Sequence, residues 1–210
     1  MAPSRGAILL AGGRASRVGG AAKPLFEVGG TTLLRAAVNA VTDASARPVT
    51  VVGPALDPDL PVEWVREDPP FGGPVAAVVA ALGAWTETGR PDPEWTLLLA
   101  CDLPGVAAAV RQLTADLALL PRDTDGLCLG DASSRPQWLI GAYRTAALRA
   151  AASALPRRGA DAPVRELVAD LAIAVVVVPD AVTRDVDTWE DLEEARRHHD
   201  ARRSERGQPS

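Results

Sequence analysis

The chain has 210 residues, enough for one α/β domain with a sizeable core and too few for two. Hydrophobic residues at 47% and charged residues at 23% make an ordinary globular composition, which excludes a disordered or collagen-like chain. The net charge of −5 argues against a nucleic-acid surface, and no apolar run is long enough to span a membrane. In chain order, residues 6–11 form a short apolar run that ends in glycines, the profile of a buried parallel strand. A Gly-rich segment follows over residues 12–23, then a brief strand over 25–28 and a turn at Gly29-Gly30. Thr31 or Thr32 caps a helix over 33–44, with Leu33, Leu34, Ala37, Val38 and Val41 on one face. Strands are predicted at 48–53 and 62–66, a helix at 74–87, a buried strand at 95–101 and a helix at 106–120. The second half predicts strands at 127–130, 137–143 and 173–178, with helices at 146–155 and 164–171. A last helix starts at the Thr188-Trp189-Glu190-Asp191 cap and fades into residues 196–199, and 202–210 are expected to fray.

Alternating strands and helices predict a three-layer α/β/α domain around a mostly parallel, Rossmann-like sheet. The expected layout is a single domain over residues 1–195, followed by a charged helix end and tail over 196–210. Ligands in such sheets sit beyond the carboxyl ends of the strands. That rule puts residues 12–23, Asp68 and Asp102 on one rim, because each follows a strand directly.

The loop over residues 12–23 is the main chemical signal. Successive glycines let backbone N–H groups turn inward as an anion nest, and Arg17 and Lys23 add positive charge for a polyphosphate. Pro24 follows Lys23 where a Walker A loop needs Ser or Thr, and no G-x-G-x-x-G pattern is present, so a nicotinamide cofactor is not expected. Lys23 is the only lysine among 22 basic residues, which marks a position where a compact ammonium serves and a guanidinium does not. Asp102, at a strand end opposite the nest, supplies the carboxylate that Mg2+ needs beside phosphates and water. It is also placed to cap the helix that follows, and the two roles can coexist. Asp185 and Asp187, two apart on an extended segment, share a face. Either can complete the metal shell or bond the acceptor, and Asp187 or Thr188 can cap the last helix. Asp68 can accept hydrogen bonds from a guanine edge or a ribose. Cys101 and Cys128 read as buried packing thiols, and His198 and His199, adjacent on a helix, do not share a face. Two cysteines cannot build a disulfide framework, and the apolar run at 7–11 is too short for a secretory signal, so a cytoplasmic location is expected.

The run Leu10-Ala11-Gly12-Gly13, Ser16-Arg17, Gly19-Gly20 and Lys23 resembles the nucleotide-binding signature of molybdenum cofactor nucleotidyltransferases, within them the guanylyltransferases. In order along the chain, four further segments resemble the family's later motifs. They are Glu67-Asp68 with Gly73-Pro74-Val75-Ala76-Ala77, Ala100-Cys101-Asp102-Leu103-Pro104, Arg135-Pro136-Gln137 leading to Tyr143-Arg144, and residues 185–192. Four positions depart from the pattern: Ala22 stands for the usual Asp before the lysine, Val18 for Met, Gly53 for a frequent Asn, and Ala77 for the second Gly of the Gly-Pro turn. The resemblance implies a nucleotide-diphospho-sugar-transferase-like fold and transfer of GMP from GTP to the terminal phosphate of molybdopterin, releasing pyrophosphate. It implies substrate contacts from Leu10, Ala11, Gly12, Gly13, Lys23, Asp68, Gly73 and Asp102, with Arg17, Lys23 and Asp102 as catalytic groups. It also implies Mg2+ on Asp102, with Asp187 as a further candidate ligand. Alternatives left open are cytidylyl transfer to the same cofactor, guanylyl transfer to another phosphorylated acceptor such as phospholactate or a sugar phosphate, and a silent nucleotide-binding accessory protein. Expected partners are GTP and molybdopterin, with other cofactor-biosynthesis proteins or acceptor molybdoenzymes as further candidates. The chain itself is expected to be a monomer.

Overall fold

A computed structural model describes residues 3–12 and 21–206. Seven strands form one sheet: β1 (Arg5–Leu10), β4 (Val49–Val52), β5 (Glu63–Val65), β6 (Trp95–Ala100), β7 (Gly126–Gly130), β8 (Pro136–Arg144) and β9 (Ile173–Val177), in the order β5-β4-β1-β6-β8-β7-β9. The two short strands β2 (Glu27–Val28) and β3 (Thr31–Thr32) make a separate hairpin. The helices are α1 (Leu33–Asp43), α2 (Gly73–Glu87), α3 (Val106–Asp116), α4 (Thr145–Ala154), α5 (Val164–Leu167), α6 (Asp180–Thr183) and α7 (Trp189–Arg206).

Side-chain alternation along the central strands builds the layers. Ala7 and Leu9 of β1, with Leu97 and Leu99 of β6, face α1 and α3 and pack against Leu34, Val38, Val110 and Leu113. Ile8 and Leu10, with Leu98, face α2 and α4 and pack against Val75, Val78, Leu82 and Leu148. These strands are buried on both faces, so they read as unbroken apolar runs. At about 25 cal/mol per Å² of apolar surface removed from water, such layers are the main stabilising term.

The sheet is mostly parallel, with β8 antiparallel to both β6 and β7. The five residues between β7 and β8 are too few for a parallel crossover. Asp131 closes this hairpin: its Oδ1 accepts from the Ser133 and Arg135 N–H groups at 3.0 Å each, and its Oδ2 from Gln137 Nε2 at 3.2 Å.

Several boundaries differ from the sequence expectation. The strand expected at 25–28 begins only at Glu27, because Lys23–Leu25 is a 3-10 turn with Pro24 setting its start. The helix expected over 106–120 ends at Asp116 and tightens into a 3-10 turn at Leu117–Leu119. The helix at 164–171 is one turn only, Val164–Leu167, and α6 is an additional short helix. The last helix does not fade at 196–199 but continues to Arg206. It is held to the hairpin below it by Arg196 Nε donating to the Glu27 carbonyl at 2.9 Å and by His199 lying against Gly29. No described helix is long and apolar enough to cross a membrane.

Candidate active site

The carboxyl ends of β5, β4, β1 and β6 are stitched together just past their last paired residues. Gly53 N–H donates to Val65 O and Ala11 N–H to Val52 O, both at 2.9 Å, and Cys101 N–H donates to Leu10 O at 3.0 Å. Gly53 has φ +146°, and a Cβ there would lie 3.1 Å from Ala11 C and Gly12 N. The close approach of β4 to the end of β1 therefore excludes a side chain at the position where the resembling family often carries Asn. A cavity of about 300 Å3 opens over this rim, lined by Leu10, Ala11, Gly12, Lys23, Arg66, Glu67 and Asp102 among others. A neighbouring space of about 380 Å3 adds Gly73, Pro74 and Leu139 at the start of α2. A third, of about 330 Å3, lies toward β8 and is lined by Arg135, Trp138, Asp185 and Thr183. Asp102 is on the wall of all three.

Asp102 lies two residues past the end of β6 and is tethered through its backbone. Its own carbonyl accepts from Val186 N–H at 2.9 Å, which ties residues 185–187 to the rim. Its Oδ1 is buried and has no hydrogen-bond partner among the described residues. Burial, followed by the negative charge of Asp185, pushes the Asp102 carboxyl up to about 6, against the opposing pull of Lys23. Asp185 is also raised, by burial first and then by the charge of Asp187. Asp102 does not cap α3: Gly105 occupies that cap with no side-chain bond, which leaves the carboxylate aimed at the cavities.

Lys23 Nζ donates to Asp187 Oδ1 at 2.5 Å. Asp187 can face this way because Thr188, not Asp187, caps α7. Thr188 Oγ1 accepts from Asp191 N–H at 3.2 Å while Asp191 Oδ2 accepts from Thr188 N–H at 2.8 Å, a reciprocal capping box. The hairpin beyond Lys23 is packed against α7 through Phe26, Leu33, Val186 and Leu192, and the Phe26 and Trp189 rings lie 4.9 Å apart.

The structure thus brings Leu10, Ala11, Gly12, Lys23 and Asp102 to one cavity, with Gly73 on its neighbour. Gly73 has φ +88° at the head of α2, a conformation that strains any other residue. Gly13 and Arg17 lie outside the described residues. Asp68 is exposed and lines none of these cavities; Glu67 does, with its Oε1 accepting from Phe71 N–H at 3.1 Å. Sequence reading missed Glu67 because a strand end does not reveal which of two adjacent acids turns inward. Asp185, paired with Asp187 in the sequence reading, is on a cavity wall as well, and Arg66, also on a wall, carries no distinctive motif of its own.

Residues 7–175 match the family described as the MobA-like NTP transferase domain. The chain belongs to the MobA-like NTP transferase family. A molybdenum cofactor guanylyltransferase of Nitrobacter hamburgensis is 35% identical over 117 residues, covering 49% of this chain and 49% of that protein. A probable molybdenum cofactor guanylyltransferase of Synechococcus elongatus is 35% identical over 150 residues, covering 67% of this chain and 72% of the relative. The chain spans about half the length of the first of these relatives. The fold is shared with a solved Mycobacterium sp. strain JC1 homologue of the Mycobacterium tuberculosis protein Rv0371c (TM-score 0.69, 23% identity, 94% and 97% of the two chains). It is shared too with molybdopterin-guanine dinucleotide biosynthesis protein A of Archaeoglobus fulgidus (TM-score 0.63, 17% identity, 93% and 98%).

For a MobA-like NTP transferase the open question at this rim is whether its donors suit a divalent cation. Among the described residues no cluster of three or more His, Cys, Asp and Glu could hold a metal unaided. The unpartnered, buried Asp102 Oδ1 nonetheless fits a hard cation, with Asp185 and Asp187 close enough to act on it electrostatically. Mg2+ characteristically takes one or two carboxylates and completes its shell with substrate phosphates and water. The residues present fit that incomplete type of site.

Proposed function

We propose that this nucleotidyltransferase passes GMP from GTP to the terminal phosphate of molybdopterin, giving molybdopterin guanine dinucleotide and pyrophosphate. The observation that carries the reading is the position of Asp102. Asp102, whose Oδ1 is buried with no hydrogen-bond partner among the described residues, is on the wall of the cavity of Gly12 and Lys23 and on that of Arg135 and Asp185. The names of relatives at about 35% identity support molybdopterin as acceptor and guanine as base.

In this reading the triphosphate lies over Gly12, and the acceptor enters from the β8 side. A phosphate oxygen of the acceptor attacks the α-phosphorus of GTP. A new P–O bond forms, the bond to the bridging oxygen breaks, and pyrophosphate leaves with the electron pair. No covalent enzyme intermediate is required, so the chain's task is positioning and charge neutralisation. Lys23 Nζ meets a non-bridging oxygen, the Gly12 amide and the adjoining loop hold the phosphates, and Arg17 adds charge from that loop. Asp102, with Asp187 as a further candidate, would hold Mg2+, which would supply neutralisation of the negative charge on the phosphates. Glu67 takes the base- or ribose-contacting role that the sequence suggested for Asp68.

The test pairs thermal unfolding with a transfer assay, each with Mg2+ and GTP, CTP, ATP or UTP. GTP is expected to raise the melting temperature most, since a ligand that binds only the native state stabilises it, and to label molybdopterin with release of pyrophosphate. Equal shifts from GTP and CTP would overturn the guanine assignment. Transfer to a sugar phosphate or phospholactate, with none to molybdopterin, would overturn the acceptor.

A further inference from the structure

We propose that Trp138 is the platform on which the planar heterocycle of the acceptor stacks, and that Tyr143 is a positioning residue that holds Trp138 in place. The inference rests on reading this rim as a nucleotidyl-transfer site with a pterin acceptor, and it names residues that select that acceptor.

Strand β8 leaves its neighbours where it reaches the site. Its pairing with β6 ends at Leu99 and Ile140, and its pairing with β7 jumps from Cys128 and Gly141 to Leu129 and Gln137. Residues 138–140 therefore lie opposite no residue of β7, and Trp138 and Leu139 lie opposite none of β6 either. Such a bulge bends a strand and re-aims its side chains. Trp138 comes to the wall of the cavity of about 330 Å3 that also holds Asp102, Arg135 and Asp185. It packs as well against the core cluster of Ile8, Leu98 and Tyr143, so the indole is anchored while it stays only partly buried.

Tyr143 braces the bulge. It is the chain's only tyrosine and is fully buried. Its Oη donates to the Trp138 carbonyl at 2.7 Å, five residues back along the same strand. The ring reaches that carbonyl because Gly141 and Gly126 leave room for it: a Cβ at either would lie 2.7 Å from a Tyr143 ring atom. The hydroxyl thus satisfies a carbonyl in the stretch that the strand ladders do not pair. Without it, both the carbonyl and the angle of the bulge lose their tie.

An aromatic plane ringed by a few polar groups is the make-up of a small-molecule site. Arg135, Gln137, Thr183 and Asp185 on the same wall offer hydrogen bonds to the edge of a heterocycle. Trp138 lines neither the cavity of Gly12 nor that of Gly73, so the ring it meets is the acceptor's and not the nucleotide's base.

The experiment is steady-state transfer by the full chain with Mg2+, varying molybdopterin and GTP in turn. Calorimetric titration of a free pterin gives a second readout, and circular dichroism checks folding. Trp138→Ala is expected to raise the KM for molybdopterin about tenfold or more, as loss of one stacking plane does, and to leave the KM for GTP near wild type. Trp138→Leu, which fills the space without an aromatic plane, should behave in the same way, and Trp138→Phe should recover most of the loss. Free pterin should follow the same order of affinity. Tyr143→Phe should raise the KM for molybdopterin several-fold with kcat nearly unchanged, whereas a merely structural tyrosine would lower the melting temperature and leave that KM alone. A wild-type acceptor KM in both Trp138→Ala and Trp138→Leu, or a rise confined to GTP, would overturn the stacking. A wild-type acceptor KM in Tyr143→Phe would overturn the brace. No transfer to molybdopterin by wild type would instead overturn the acceptor reading, and the stacking with it.

Discussion

At the amino ends of β4, β5 and β6 the protein has a cavity of about 720 Å3, while the cavity at the carboxyl ends that holds Lys23 and Asp102 measures only about 300 Å3. Several groups along the larger space already have partners. Trp85 Nε1 donates to Thr50 Oγ1 at 2.7 Å, Thr50 Oγ1 in turn donates to Glu63 at 3.4 Å, and Asp92 takes two bonds from Arg149 at 2.8 Å each. The smaller one includes Asp102, whose Oδ1 is buried with no partner among the described residues. Unpaired charge in a desolvated place is unfavourable for folding, and a structure keeps it where a ligand supplies the missing partner. Volume favours the amino-end rim, and the electrostatics on which the proposed site rests favour the carboxyl-end one.

The largest difference between the rims should appear at Lys23. If it meets a phosphate oxygen as a point charge in a tight turn, Lys23→Arg should fail nearly as badly as Lys23→Ala in steady-state nucleotide transfer. The expected loss is of order a hundredfold for one strong electrostatic contact. Near-full turnover in the arginine variant would break the comparison, since a surface lysine would accept that change.

The smallest effect belongs to the amino-end rim. Thr50→Val keeps the shape but removes the acceptor of a buried indole N–H, which should lower stability by about 1–3 kcal/mol in denaturant unfolding. Turnover of the folded fraction should stay at the wild-type value. A fall in turnover would mean that the larger cavity takes part in the chemistry.

How far the sequence was legible follows the same division. The strand ends just before Gly12 and Asp102, and the two-sided burial of β1 and β6, are local patterns, so reading along the chain finds them. The 3-10 turn at Lys23–Leu25 straddles the boundary between the Gly-rich segment and the stretch 25–28 that reads as strand, and the direction of β8 depends on how Asp131 folds a five-residue connection. Whether Asp187 or Thr188 caps α7 is open in the sequence, because both residue types cap well. The structure decides it through contact between segments remote in the chain, the Lys23–Asp187 pair. The choice between Glu67 and Asp68 turns on the geometry of one residue leaving β5, which composition and spacing do not encode.

The central claim is that Asp102 is kept ionisable in a buried place for a cationic partner, and thermal unfolding of wild type and Asp102→Asn tests it directly. With its carboxyl raised to about 6 in the folded state against about 4 unfolded, Asp102 favours folding only while protonated. That contribution is complete below pH ~4 and is lost as pH rises through about 6, a difference on the order of 3 kcal/mol. The ligand-free Asp102→Asn variant should therefore melt close to wild type at pH 4 and several degrees above it at pH 8. Addition of Mg2+ and GTP at pH 8 should raise the wild-type melting temperature and leave that of the variant almost unmoved, with transfer activity lost. An Asp102→Asn protein that melts below wild type at pH 8, yet still responds to Mg2+ and GTP, would contradict the account.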